Sequence, residues 1–275
     1  MLKRMLAWLL VPLLLTAPTH AESRAEVRLP VVMYHHISKE SARWNEYVIS
    51  PAELESDLQW LRAHGYESVS VSELLAWQDG EFDMPEKPVM ITFDDGYEST
   101  AVYAEPLLRQ YGLRGVVAVI GSVCEEFSAL DEHDAELSNL SWEDARDMAR
   151  RGTIEVQCHT WDLHRLRPRN GCGRTWGESA AEYRAAITED LSRFLRESEA
   201  YGVSLVPAIA YPYGSYDKAL TPEVVRDLGF RAAFTCTETV NRLTGDAEEL
   251  YDLGRFNRPH GVTSEKFFAK WEENS

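Results

Sequence analysis

Two adjacent acidic residues and two histidines of this chain have the types and positions needed to bind a divalent metal. Asp94 and Asp95 directly follow one predicted buried strand, and His159 and His164 follow another. Two neighbouring carboxylates near a dry core repel each other, and a cation relieves that repulsion. Because neighbouring side chains of an extended chain point apart, one carboxylate can bind the metal while the other acts as a base. One carboxylate and two imidazoles leave positions open for water and substrate, as in catalytic zinc sites.

Each of these motifs also has a structural explanation. An Asp-Asp-Gly sequence is common in solvated turns. Histidines five residues apart lie about 140° apart on a helix, off a common face, unlike the pair in HExxH. Their position after strands favours a shared site, because reacting groups of βα folds gather at the carboxyl ends of strands. Two further predicted strands end in polar residues, at 35–36 and at 211–214.

The motifs resemble those of the polysaccharide deacetylases, the NodB-like carbohydrate esterase family 4. TFDDG at 92–96 resembles the first motif of that family, HTWDLH at 159–164 the second, and YPYG at 211–214 the third. VMYHHI at 32–37 resembles the first strand of the branch that contains the poly-β-1,6-N-acetylglucosamine deacetylases. Most members of the family separate the two histidines by four positions. The separation of five positions found here is similar to that of the branch. The resemblance extends from about residue 30 to about residue 255.

The resemblance implies a role for each matching residue. Asp95, His159 and His164 would hold a divalent metal, with zinc expected first and cobalt or nickel as alternatives. The metal would activate a water molecule, and Asp94 would accept its proton as it attacks the acetyl carbonyl. The backbone N–H of Tyr213 would stabilise the oxyanion.

The leaving amine needs a proton, and the resemblance implies His35 as its source. His36 and His260 are weaker candidates for the same role. One position departs from the family pattern, because Ala210 stands where the third motif often has an arginine that contacts the base. Arg255 could supply that guanidinium in space. Further candidates for substrate contact, where aromatic packing is the alternative, are Tyr97, Trp161, Tyr211 and Arg255.

The function implied is hydrolysis of N-acetyl groups from an N-acetylglucosamine-containing polysaccharide, with release of acetate. Poly-β-1,6-N-acetylglucosamine is the first choice of substrate. Peptidoglycan and chitin fragments are alternatives within the same chemistry. A catalytically weak carbohydrate-binding relative and a hydrolase of small cyclic amides are alternatives from other classes. No protein partner is identified by the sequence.

Alternating strands and helices must position these residues. Apolar runs predict strands at 29–34, 88–93, 115–120, 154–157, 205–210 and 232–235. Amphipathic stretches predict helices at 141–151, 178–201 and 222–228, and two more that end at Gly65 and Gly112. This alternation indicates an α/β fold with a parallel sheet, closed as a distorted (β/α)7-type barrel in a single domain. An open doubly wound sheet is the alternative, but the glycine-rich phosphate turn typical of it is missing.

Composition limits the remaining classes. The 275 residues carry a formal net charge of −17, which argues against nucleic acid and anionic lipid as partners. A basic start, an apolar run and small residues before position 22 predict a signal peptide over 1–21. A short lead over 22–29 and a deacetylase domain over 30–275 would follow, in a periplasmic or extracellular protein without a stable membrane span. Four cysteines could pair in such a protein, and a Cys158–Cys172 bridge would fix the histidine loop.

Overall fold

The computed structural model describes residues 25–130 and 132–273. The predicted signal peptide over 1–21 lies outside the described residues, as do the first residues of the predicted lead over 22–29. No helix in the described part of the chain combines the length and the apolar character that a membrane span requires.

Seven parallel strands form a curled sheet, which confirms the predicted barrel-type α/β fold. In spatial order these are β10, β9, β8, β7, β6, β2 and β12. Their bounds are β2 Val31–Tyr34, β6 Pro88–Phe93, β7 Gly115–Val119, β8 Ile154–Cys158, β9 Leu205–Ala210, β10 Ala232–Phe234 and β12 Phe256–Asn257. The short strands β1 Val27–Leu29, β3 His36–Ile37, β4 Val48–Ile49, β5 Glu67–Ser68 and β11 Asn241–Leu243 lie around this sheet.

Helices follow most of the strands, and most of the helices cover the outer face of the sheet. They are α1 Pro51–Ala63, α2 Val71–Asp79, α3 Glu105–Tyr111, α4 Gly121–Leu130, α5 Trp142–Arg151, α6 Ala180–Ala200, α7 Thr221–Asp227, α8 Ser264–Phe268 and α9 Lys270–Glu273. Four of them, α1, α2, α5 and α6, begin with a serine in a capping box. Such a box satisfies backbone N–H groups that the first turn leaves unpaired, so these helix starts are encoded locally.

The segment 253–257 joins the two ends of the sheet. Leu253 pairs with Phe234 of β10 in a parallel bridge, and Arg255 N donates to Thr237 O at 2.9 Å. Directly after Arg255, β12 pairs with β2 on the other side. The barrel therefore closes through an irregular segment, and this segment carries Arg255.

Side chains alternate between two apolar layers along each strand, as the pleat requires. Val89, Ile91 and Phe93 of β6 belong to the cluster that packs beneath the outer helices, whereas Met90 belongs to the inner cluster. Thr92 and Asp94 have the inward parity of Met90. The carboxyl end of the strand therefore points its acidic residue into the barrel mouth.

Two local expectations need correction. The first predicted strand is interrupted at Pro30: β1 pairs antiparallel with β11, and β2 joins the main sheet. Proline has no N–H for the ladder, so the chain changes partner there. The Cys158–Cys172 bridge is also absent, because all four cysteines are free thiols. Cys158 Sγ accepts a hydrogen bond from Thr160 N at 3.2 Å instead.

Candidate active site

One carboxylate oxygen and two imidazole nitrogens meet at the mouth of the barrel. Asp95 Oδ1 lies 3.4 Å from His159 Nε2 and 3.1 Å from His164 Nε2. All three potential ligand atoms lie within 4.8 Å of one another. Asp95 follows β6, and both histidines follow β8, so the sheet brings together groups more than sixty positions apart in the sequence. The structure therefore produces the convergence that the sequence predicts.

Asp95 adopts a backbone conformation that few side chains accept. Its φ is +68°, in the left-handed region, and the following Gly96 has φ +70°. A Cβ at Gly96 would lie 3.0 Å from Val119, so both the conformation and the space require glycine there. Asn139 Nδ2 donates to Asp95 O at 2.9 Å, and Leu140 N donates to Gly96 O at 2.8 Å. These two bonds hold the turn in the shape that aims the carboxylate at the histidines.

Each histidine is oriented by a contact at its second ring nitrogen. His159 Nδ1 donates to Ala210 O at 2.7 Å, because a carbonyl can only accept. That bond leaves the Nε2 lone pair directed at the site. His164 Nδ1 lies 3.3 Å from the Tyr213 hydroxyl. The backbone of Ala210 thus orients a histidine at the position where the family often has arginine.

The donor set fits a small divalent cation. Ligand atoms of a tetrahedral zinc site, bonded at about 2.0–2.2 Å, lie about 3.3–3.6 Å apart. The Asp95–histidine distances of 3.1 and 3.4 Å approach this spacing. Asp95 Oδ1 is buried and receives no directed hydrogen bond from any described residue. Burial opposes its ionisation, but the two imidazoles outweigh that effect and lower the pKa of Asp95.

Arg255 forms a bidentate ion pair with Asp94. Its Nη1 and Nη2 atoms donate to Asp94 Oδ1 at 2.7 Å and Oδ2 at 2.8 Å, and both side chains are almost fully buried. Burial alone would raise the pKa of Asp94, but the guanidinium outweighs it and holds that pKa below its usual value. Arg255 Nε also donates to Thr235 O at 2.9 Å. The guanidinium expected near Asp94 is therefore present.

The three histidines considered as proton donors have different surroundings. His35 lines the same cavity as Asp94 and Asp95, and burial lowers its pKa. His36 is buried with Nδ1 3.0 Å from Ser99 Oγ. His260 Nδ1 lies 2.9 Å from Glu53 Oε2 on the α1 side of the molecule, and neither His36 nor His260 lines the cavity. Position therefore favours His35.

The cavity has a volume of about 480 Å³ and is lined by Asp94, His35 and the three potential metal ligands, whereas Arg255 lies outside it. Its wall consists of Met33, His35, Tyr47, Asp94, Asp95, Tyr97, His159, His164, Tyr213, Cys236, Glu238 and Asn257.

Three of the four residues expected to contact substrate do not reach the cavity. Tyr211 is fully buried and stacks on Tyr216, with ring centroids 4.6 Å apart. Trp161 is 5% exposed and packs against the guanidinium of Arg193. Arg255 is also fully buried, so its contact is with Asp94 rather than with a sugar. Aromatic rings that follow a strand pack into the core as readily as they face solvent. The sequence therefore could not distinguish the rings that are buried from those that line the cavity.

Tyr97 does line the cavity, together with Tyr213 and with Tyr47, which the sequence did not single out. Tyr97 lies beside His36, with ring centroids 4.6 Å apart. Tyr47 and Tyr213 are 50% and 44% exposed, although only the backbone of Tyr213 was expected to act. Tyr47 lies in a loop without strand or helix periodicity, so no sequence signal pointed to it.

The acidic stretch before Asn139 is held in place by a contact of Glu136. The Glu136 carboxylate accepts from Lys39 N at 3.0 Å and contacts the Ser38 hydroxyl. This contact anchors the loop that carries Asn139 against the segment after β3. The sequence alone does not show this contact, because the partners of Glu136 come from a segment almost a hundred positions away.

The sequence around the site matches a known protein family. The profile of the polysaccharide deacetylase family matches residues 82–233, which contain Asp94, Asp95 and both histidines. The chain belongs to the polysaccharide deacetylase family. The members of this family are deacetylase enzymes, so the predicted enzyme class is confirmed. The predicted resemblance is confirmed as well.

Individual relatives of this family member include a poly-β-1,6-N-acetyl-D-glucosamine N-deacetylase from Escherichia coli strain K12. The two are 27% identical over 227 residues, which cover 74% of this chain and 33% of the relative. The chain thus spans about a third of that relative's length. The solved structure of IcaB from Ammonifex degensii is 29% identical with a TM-score of 0.65, covering 83% of this chain and 90% of that one. A de-N-acetylase from Aggregatibacter actinomycetemcomitans, 22% identical, has the same fold with a TM-score of 0.74, covering 90% and 100%.

Proposed function

We propose that this domain hydrolyses N-acetyl groups of an N-acetylglucosamine-containing polysaccharide and releases acetate in a metal-dependent reaction. The observation that carries the proposal is the meeting of Asp95, His159 and His164 beside the buried Asp94–Arg255 pair. A metal-ligand set and a separate carboxylate base in one cavity are the parts that hydrolysis of an amide requires.

Asp95, His159 and His164 are proposed as the ligands of a divalent metal, with zinc first because two imidazoles and one carboxylate form a common catalytic zinc set. Cobalt and nickel suit the same donors. When bound, such a metal supplies Lewis-acid polarisation and makes a nearby water more acidic. The Ala210 carbonyl fixes the His159 tautomer, and the Tyr213 hydroxyl contacts His164.

The remaining groups of the cavity divide the proton transfers between them. Asp94, kept ionised by Arg255, accepts a proton from the attacking water. His35 lies on the same cavity wall and donates a proton to the leaving nitrogen. The backbone N–H of Tyr213, which lies in a left-handed conformation with φ +58°, is proposed to donate to the oxyanion.

Poly-β-1,6-N-acetylglucosamine is the proposed substrate. The E. coli relative named for that polymer and the five-residue histidine spacing support this choice. Peptidoglycan and chitin fragments offer the same acetamido group and are the alternatives. A carbohydrate-binding relative without catalysis is disfavoured, because Asp94, both histidines and the arginine partner are all in place.

The site of action follows from the substrate. We propose an exported protein, periplasmic or extracellular, because polysaccharide polymers of this kind lie outside the cytoplasm. The matching organisation that we propose is a signal peptide over 1–21 and a deacetylase domain over 30–275. The mass of the secreted protein tests this organisation, and we expect that mass to lack the contribution of residues 1–21.

Acetate release from a panel of acetylated glycans tests the proposal. Wild-type protein and Asp94→Asn should be assayed side by side on β-1,6- and β-1,4-linked N-acetylglucosamine oligomers. We expect wild type to prefer the β-1,6 oligomers, and Asp94→Asn to lose at least about a hundredfold in kcat because it lacks the base. Glu248→Gln, a surface carboxylate paired with Arg226, is the control for a neutralised acid and should stay fully active. Full activity of Asp94→Asn would refute the assigned base.

A further inference from the structure

Tyr47 presents an exposed aromatic ring to the cavity. Half of its surface is accessible, and it lines the same cavity as His35 and Asp94. Its ring meets the imidazole of His35 edge-on, with centroids 5.0 Å apart and planes inclined at 72°. An exposed aromatic face inside a cavity is apolar surface available to a ligand.

The backbone beneath this ring is fixed at three successive residues. Asn45 O accepts from His260 N at 3.0 Å, and Glu46 O accepts from Asn257 Nδ2 at 2.8 Å. Tyr47 N donates to Asn45 Oδ1 at 2.8 Å, and Tyr47 O accepts from His36 N at 3.1 Å. The ring therefore projects from a rigid support. A ligand that covers the ring orders few additional groups, so the entropic cost of binding is small.

The position of Tyr47 specifies which part of a substrate it can meet. In the proposed reaction, which this inference presupposes, the leaving nitrogen lies within hydrogen-bond reach of His35. In a 2-acetamido sugar that nitrogen is bonded directly to the pyranose ring. Because the Tyr47 ring packs against His35, a pyranose ring bound in this way comes within reach of Tyr47.

We propose that Tyr47 is the stacking platform for the pyranose ring whose acetamido group is cleaved. A pyranose presents a face of C–H groups, and the flat, electron-rich face of tyrosine suits it. Tyr213, 44% exposed with its ring 4.7 Å from that of His164, lies on the metal-ligand side and faces the acetyl end instead. The platform thus selects 2-acetamido sugars over acyclic N-acetyl amides.

Tyr47→Ala and Tyr47→Phe separate stacking from hydrogen bonding. On N-acetylglucosamine oligomers, we expect Tyr47→Ala to raise KM about tenfold, with a smaller change in kcat, because a stacked ring is lost. Tyr47→Phe keeps the ring and should stay within about twofold of wild type. Trp176→Ala removes an exposed aromatic ring that does not line the cavity and is the matched control.

Binding measured without turnover excludes an indirect effect through His35. In the Asp94→Asn background, calorimetric titration with the oligomer should show about tenfold weaker binding when Tyr47→Ala is added. Circular dichroism of each variant checks folding. The inference is overturned if wild type deacetylates the oligomers while Tyr47→Ala keeps the wild-type KM and binding, or if Trp176→Ala is affected equally. Absence of acetate release by wild type would instead refute the proposed function.

Discussion

At the scale of residues, the pairing of Asp94 with Arg255 shows what the sequence can and cannot predict. Asp95, His159 and His164 were identifiable because each follows a predicted strand, and the barrel brings strand ends together. Ala210 marked a missing arginine, and Arg255 was a plausible replacement. The contact itself depends on the irregular segment 253–257, whose path no periodicity predicts.

Arg255→Lys tests this pairing. Lysine keeps the charge but cannot form two parallel hydrogen bonds, so Asp94 loses part of what holds its pKa down. The pKa of Asp94 then rises, the ionised base appears only at higher pH, and the acidic limb of the pH–rate profile moves to higher pH. For each pH unit that the limb moves, we expect kcat/KM well below the pKa to fall about tenfold, while kcat/KM at the optimum changes little. Acetate release measured from about pH 4 to pH 9 gives both quantities.

The surface variant Arg226→Lys is the control for this substitution, because Arg226 pairs with the exposed Glu248. Thermal unfolding of each variant verifies that the fold persists, since removing a buried guanidinium altogether would leave an unpaired charge at a cost of about 3–5 kcal/mol. An acidic limb that stays in place in a folded Arg255→Lys protein would show that Arg255 does not tune Asp94.

At the scale of elements, helix starts were predictable and loop functions were not. The serine-led capping boxes are local sequence signals, and the structure contains them at 50–53 and 141–144. The loop that carries Tyr47 gave no such signal, because its partners are His36, Asn257 and His260 from distant segments. Pro30 divided one predicted strand in two for a reason visible only once the strand partners are known.

The N-terminus of α1 predicts a specific pH dependence of stability. Burial tends to raise the pKa of Glu53, but hydrogen bonds from Ser50 N, His260 and Gly261 N outweigh it and lower that pKa to about 2. An unfolded glutamate has a pKa of about 4.3. The stabilisation is therefore fully present above about pH 4.5 and is lost as the pH falls towards 2.

Glu53→Gln measures this contribution. Glutamine can still cap α1 but has no charge to lose, so it serves as the neutral reference. We expect the difference in free energy of unfolding between wild type and Glu53→Gln to be up to about 3 kcal/mol at pH 6, and to shrink towards zero near pH 2. Urea unfolding across this pH range gives the difference directly. A difference that stays constant with pH would mean that Glu53 is not ionised preferentially in the folded state.

At the scale of the whole molecule, the barrel brings the residues of the candidate site together. The segments after β6 and β8 carry the proposed metal ligands. β9 orients one of these residues through the Ala210 carbonyl, and the closing segment supplies Arg255. Alternating strands and helices predicted this architecture, because a parallel sheet must be covered on its outer face. Tyr47, by contrast, which we propose to meet the sugar, lies in a loop at the mouth, and strand and helix patterns do not predict such a loop.

A metal held by two strands of the barrel should also stabilise the folded protein. A ligand that binds only the folded state adds about 2.7 kcal/mol of stability at a free concentration one hundred times its Kd. Stripping the metal with a chelator should therefore lower the melting temperature and abolish acetate release together.

The most direct test is a calorimetric zinc titration of chelator-treated protein, with acetate release assayed on the same samples. We predict that wild type binds one equivalent of zinc and regains activity in proportion to it. Asp94→Asn should bind the metal without recovering turnover, whereas Asp95→Asn should lose both. Activity that survives complete metal removal, or undiminished zinc affinity in Asp95→Asn, would contradict the account.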